Sequence, residues 1–239
     1  MTERLREMAP VASDRPGGRS FYSEDDMKDV YPGSRVGDAA VDYGDYFLLF
    51  EVTGGQPVVD TRVAGDPQKF REDTEKLVLE EAEQLHAACE SLLADQKRLT
   101  GYDPSANRRI LPIVVVGGGY PADALSRSHV DDFLAQKGWL QHEAIEPLCI
   151  IDLTEVEILE SLHEAGKSPG WLLARWKRSG LRHVGFKDFV VKEVGRDLQR
   201  PSRMKARVES ALAVVAERLT GQKLPNGPEK RLPGAPPNP

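Results

Sequence analysis

Gly37-Asp38-Ala39-Ala40-Val41-Asp42-Tyr43-Gly44-Asp45-Tyr46-Phe47-Leu48-Leu49-Phe50-Glu51-Val52-Thr53 is the stretch from which the fold can be read. Residues 35–43 and 46–53 form two runs of strand-forming side chains around Tyr43-Gly44, the pattern of a hairpin with a two-residue turn. Asp42 and Asp45 flank that turn and are read as turn residues. The second run is apolar on both faces from Tyr46 to Phe50, so it is expected in the middle of a sheet. Gly54-Gly55 ends it.

The rest of the chain alternates element types. A long helix is expected from about Pro67 to Leu99, with Asp66-Pro67 as cap and first turn. Its apolar stripe is Phe70, Leu77, Val78, Leu85, Ala88, Cys89 and Leu92. Ile110 to Val116 reads as a strand closed by Gly117-Gly118-Gly119. A short helix over 128–136 and a strand over 148–153 follow. Thr154-Glu155-Val156-Glu157 reads as a capping box opening a helix to about Ala165. Leu172 to Ser179 is helical, Asp188 to Lys192 extended, and Pro201 to Leu219 an amphipathic helix. The expectation is an α/β fold, a mixed β-sheet flanked by helices. Residues 1–30 are polar and expected to be loosely ordered, 31–220 form a single α/β domain, and the Pro- and Gly-rich 221–239 form a disordered tail.

The 239 residues carry a net charge of −6, which does not advertise a nucleic-acid partner. The distribution is uneven, however. Residues 171–207 hold eleven Lys/Arg against three Asp/Glu, leaving 21 basic against 35 acidic residues elsewhere. This basic region is a candidate contact for the phosphates of DNA or RNA, the alternative being a solvated surface. Trp171, Arg175, Trp176, Lys177, Arg178 and Arg182 interleave rings and cations there; Leu172, Leu173 and Trp176 are expected to pack inward. No long apolar run suggests a membrane span, and the polar N-terminus lacks a signal core. Cys89 and Cys149 sit in apolar contexts and read as reduced, buried thiols of a cytoplasmic protein.

The acidic residues carry the functional lead. With Asp42 and Asp45 flanking the turn, Asp38 falls opposite Leu49. Leu49 and Glu51 share a face, so Asp38 and Glu51 become diagonal neighbours roughly 7 Å apart. Two carboxylates at that distance suit Mg²⁺ or Mn²⁺, which can activate water and stabilise charge on a phosphate. Glu51 is the more telling residue, because a charge ending an apolar strand is costly unless paired or coordinated. The alternative places Glu51 at the sheet edge, against water or Arg62.

The segments Gly37-Asp38-Ala39-Ala40-Val41 and Phe47-Leu48-Leu49-Phe50-Glu51-Val52-Thr53, followed by a helix carrying Gln84, resemble the restriction-endonuclease-like PD-(D/E)XK nuclease superfamily over roughly residues 30–155. The resemblance implies a restriction-endonuclease-like core, Mg²⁺-dependent cleavage of DNA or RNA, and Asp38 and Glu51 as metal ligands. Thr53 stands where the family has lysine. Glu81 lies inside the helical stripe with Gln84 at its edge, so an acid and an amide join the site as further ligands or supports. Lys76 projects from the opposite side. A helix that the family places before its first strand has only a weak counterpart in residues 1–30.

Three readings of function remain at this point. The chain is a metal-dependent phosphodiester hydrolase using Asp38, Glu51, Glu81 and Gln84. Or it is an inactive relative serving as a nucleic-acid-binding or protein-interaction scaffold. Or it is a small-molecule-binding α/β protein using the triple glycine, although no complete phosphate-loop pattern accompanies it. The five histidines have no zinc spacing, and no G-x-S-x-G elbow is present.

Overall fold

The computed structural model describes residues 1–10, 19–57, 66–105, 107–118, 120, 123–195 and 198–220. Among these, five strands form one sheet in the order β1-β2-β3-β4-β5. They are β1 (Phe21–Ser23), β2 (Ala39–Asp42), β3 (Tyr46–Val52), β4 (Arg109–Val116) and β5 (Cys149–Asp152). β1, β2 and β3 pair antiparallel, whereas β3–β4 and β4–β5 are parallel. The architecture is an open, mixed sheet with helices on its faces, and β3 is the central strand.

The hairpin register differs from the expected one by two residues. Asp42 pairs with Phe47 and Ala39 with Phe50, so four residues, 43–46, connect the last pair, and Tyr43 N–H donates to the Tyr46 carbonyl at 2.9 Å. Gly44 supplies a φ of 88° in that loop, and its N–H donates to Asp42 Oδ1 at 2.7 Å. Asp42 is not a solvated turn residue. Its fully buried carboxylate lies 2.8 Å from the Arg108 guanidinium, and the Tyr102 hydroxyl donates to it. The group ties the hairpin to the segment preceding β4.

Residues 1–10 and 19–30 also depart from expectation; residues 11–18 lie outside the described residues. The structure holds α1 (Thr2–Glu7), β1 and α2 (Glu24–Val30) there, with Leu5, Met8, Phe21, Tyr22 and Met27 buried. A Ser23–Asp26 capping box starts α2. A few well-spaced apolar anchors therefore order a mostly polar segment.

The long connection from β3 to β4 is helical: α3 (Pro67–Thr74), a π-helical turn (Glu75–Leu79) and α4 (Glu80–Thr100). The π turn carries Leu77, Val78 and Leu79, all three buried in the core. α5 (Ala124–Lys137) precedes β5, and α6 (Leu153–Glu164) follows it. The capping box of α6 belongs to Asp152 and Glu155, two residues before the expected one. α7 spans Pro169–Arg178. Residues 188–192, expected to be extended, lie instead in α8 (Phe186–Val194), whose Phe186, Phe189 and Val190 are buried.

Alternate side chains of the strands feed two cores. Ala40, Phe47, Leu49, Ile110 and Val114 pack with Leu85, Cys89 and Leu92 of α4. Ala39, Leu48, Phe50, Ile113 and Cys149 pack with Leu159, Leu173, Trp176 and Phe189 on the other face. The two cysteines are buried, free and in different cores. Residues 1–199 form one compact unit, and residues 200–239 a second, represented by α9 (Ser202–Thr220). The tail 221–239 lies outside the described residues. Among the described residues, no helix is long and apolar enough to cross a membrane.

Candidate acidic site

Asp38, Glu51, Glu81 and Gln84 converge at the carboxyl end of β3, on the face covered by α4. The observed register, continued one step past Ala39–Phe50, sets Asp38 directly opposite Glu51 rather than diagonal to it. The shift is an even number of residues, so both acids keep the face expected for them. Val52 N–H donates to Asp38 Oδ2 at 2.8 Å, and the Asp38 backbone N–H donates to the Glu51 carboxylate. From α4, Gln84 Nε2 donates to Glu51 Oε1 at 2.9 Å and to the Val36 carbonyl at 3.0 Å. Gly37 lets the strands close here, since a Cβ at that position would lie 2.8 Å from the Phe50 carbonyl oxygen.

Electrostatically the site is strained. Glu51 is 5% exposed, and its Oε2 is buried without a hydrogen-bond partner among the described residues. Burial, then the charges of Asp38 and Glu81, push its carboxyl up to about 8, against the donors from Asp38 and Gln84. Burial also raises Asp38, with the Val52 N–H opposing it and Glu24 adding to it. Glu81 is raised by burial and then by Asp38. Burial thus moves all three acids toward the neutral form, with Asp38 adding to the shift of Glu51 and Glu81.

The lysine position does not acquire a cation. Thr53 N–H donates to the Val115 carbonyl at 3.1 Å, and its hydroxyl accepts from Gly55 N–H at 3.3 Å. Lys76 is exposed, pointing away from the core side of its helix. A cation that the sequence reading missed is Lys28 of α2, which bonds Glu24 at 2.5 Å and lowers the pKa of Asp38 through its charge. Glu24 N–H donates to the Asp38 carbonyl at 3.1 Å. The signal that could have found the pair is the Ser23-x-x-Asp26 box, which marks a helix start just before the hairpin. Arg62, the alternative partner of Glu51, lies outside the described residues.

Among the described residues, no group of three or more His, Cys, Asp or Glu side chains is set to hold one ion. The arrangement that remains is a pair. Asp38 and Glu51 face each other, Glu51 Oε2 lacks a donor, and like charges crowd them. One or two carboxylates plus waters are the usual protein contribution to a Mg²⁺ site, so the donor set fits such an ion.

The other sequence signals resolve differently. Gly117 serves a close approach, since a Cβ there would lie 2.5 Å from the Gly55 carbonyl oxygen. Gly119 lies outside the described residues. Leu172, Leu173 and Trp176 are buried as expected, while Trp171 is exposed beneath the Arg175 guanidinium, 5.0 Å from its ring centre. Part of the basic excess is consumed internally: Arg175 pairs with Glu193, and Arg178 with Glu146. Comparisons with protein-family models, with curated proteins and with solved structures returned no match for this chain.

Proposed function

We propose that this chain is a diverged PD-(D/E)XK-like protein with a restriction-endonuclease-like core, acting as a metal-dependent phosphodiester hydrolase on DNA or RNA. The observation that carries the reading is Glu51, a buried carboxyl near the end of the central strand, opposite Asp38, that among the described residues keeps one oxygen without a donor. A charge in that position has a high free-energy cost unless a cation joins it. The sheet supports the reading, because antiparallel pairing gives way to parallel pairing at β3, the strand that carries Glu51.

Asp38 and Glu51 would hold Mg²⁺ or Mn²⁺, which when bound would supply a water activated for attack and a positive charge for the phosphate. Gln84 fixes the Glu51 carboxylate from one side and so selects which oxygen faces the ligand. The Val52 N–H does the same for Asp38. Glu81, held toward its neutral form, adds acidity at the rim and can take up a proton. Lys28 is the charged group placed to offset Asp38 in place of the lysine replaced by Thr53.

A second reading, an inactive scaffold that binds nucleic acid or protein, is favoured by Thr53, whose hydroxyl is spent on the N–H of Gly55 and whose N–H is spent on β4. Incubating the parent and Glu51→Gln with single- and double-stranded DNA and RNA, with Mg²⁺ or Mn²⁺, separates the two. Cleavage by the parent alone supports the hydrolase. Absence of cleavage on every substrate, with metal bound, moves the assignment to the scaffold.

A further inference from the structure

Away from the acidic site, at the amino ends of β4 and β5, lies a cavity of about 450 Å³. That is the size range of small-molecule sites. Leu134, Leu140, Ile145 and Leu148 give it an apolar wall. Lys177 of α7 lines it although the residue is only 5% exposed. Among the described residues, Lys177 makes no hydrogen bond and no ion pair; its ammonium lies 5.6 Å from the centre of the Trp176 ring. Arg182 lines the same cavity, and among the described residues its guanidinium bonds only the ring of its neighbour His183, at 3.0 Å. Asp131 faces Lys177 from α5 without reaching ion-pair distance. The third cation in the lining, Arg109, is neutralised by Glu146 at 2.8 Å.

We propose that this cavity is a binding site for a phosphate monoester, with Lys177 and Arg182 holding the phosphate and the apolar wall holding the body of the molecule. Asp131 and Glu143 also line the cavity, but among the described residues neither pairs with Lys177 or Arg182, and two such cations match a headgroup that carries nearly two negative charges at neutral pH. Burial pushes Lys177 toward its neutral form, and an anion arriving there restores the ammonium and removes that cost. The Lys177 ammonium lies beside the fully buried Trp176 ring.

The test is calorimetric titration of the full chain with inorganic phosphate, AMP and adenosine, on the parent, Lys177→Met and Arg182→Gln. The parent is expected to bind phosphate and AMP but not adenosine, and each variant to lose about tenfold or more in affinity. AMP binding more tightly than phosphate indicates that the apolar wall is used; equal affinity indicates that the headgroup alone is read. Arg182 is exposed, so its variant keeps the test informative if Lys177→Met unfolds. No binding by the parent at tens of millimolar, or binding undiminished in Arg182→Gln and in folded Lys177→Met, overturns the proposal. Glu51→Gln is expected to bind AMP as the parent does, so this site and the acidic one succeed or fail separately.

Discussion

Replacing Glu51 by glutamine removes a buried titration while keeping the size and polarity of the side chain. In metal-free buffer the folded protein holds this carboxyl near 8, against an ordinary 4.5. Below 4.5 the group is protonated in both folded and unfolded chains, so it does not oppose folding. As pH rises through the interval up to about 8, the unfolded chain releases the proton and the folded one retains it. Stability is therefore lost with rising pH across that window. At roughly 1.4 kcal/mol per pH unit the ceiling is about 5 kcal/mol. Solvent relaxation around a group at the mouth of a site reduces this, and about 2 kcal/mol is a conservative expectation. Urea unfolding of the parent and Glu51→Gln at pH 5, 7 and 9, with chelator present, should give curves that converge at the acid end and diverge at the alkaline end, with Glu51→Gln the more stable. Parallel pH dependence of the two proteins would refute the electrostatic account of the site.

Asp38→Ala should cost about 1 kcal/mol through loss of the acceptor for Val52 N–H, whereas Asp38→Asn should retain most of that stability and still lose metal affinity; urea unfolding and calorimetry report the two effects. Arg108→Met should destabilise by about 3 kcal/mol or more, because it strands the fully buried Asp42 carboxylate; adding Asp42→Asn should recover part of the loss, and a double variant no better than the single would contradict this. Gly117→Ala should cost about 1–3 kcal/mol by thermal or urea unfolding, since its Cβ meets the backbone oxygen of Gly55 at 2.5 Å.

What could be read from the sequence was parity and hydrophobic period. The Tyr46–Val52 run announced a central strand, and any even error in hairpin register still brings Asp38 and Glu51 to one face. Gln84 and Glu81 followed from the stripe Leu77–Leu85, although the π turn at Glu75–Leu79 means that the period before Glu81 was not regular. What escaped depends on partners distant in sequence. Asp42 looks like any turn aspartate until Arg108 is seen beside it. β1 has only three residues and becomes a strand by pairing with Ala39–Val41. With β1 went α2, and with α2 the Glu24–Lys28 pair beside Asp38. Lys177 belongs to a basic run that reads as surface, yet α7 turns it inward against Trp176. In α8 the pattern Phe186, Phe189, Val190 carries helical spacing, but its β-branched pair favours an extended reading when taken alone.

Calorimetric titration of Mg²⁺ into the metal-free parent at pH 8, beside Glu51→Gln, tests the central claim most directly. The account predicts binding to the parent, accompanied by release of the proton that burial holds on Glu51, and affinity reduced by about tenfold or more in the variant. Equal heats for the two proteins, or no binding to the parent, would contradict it.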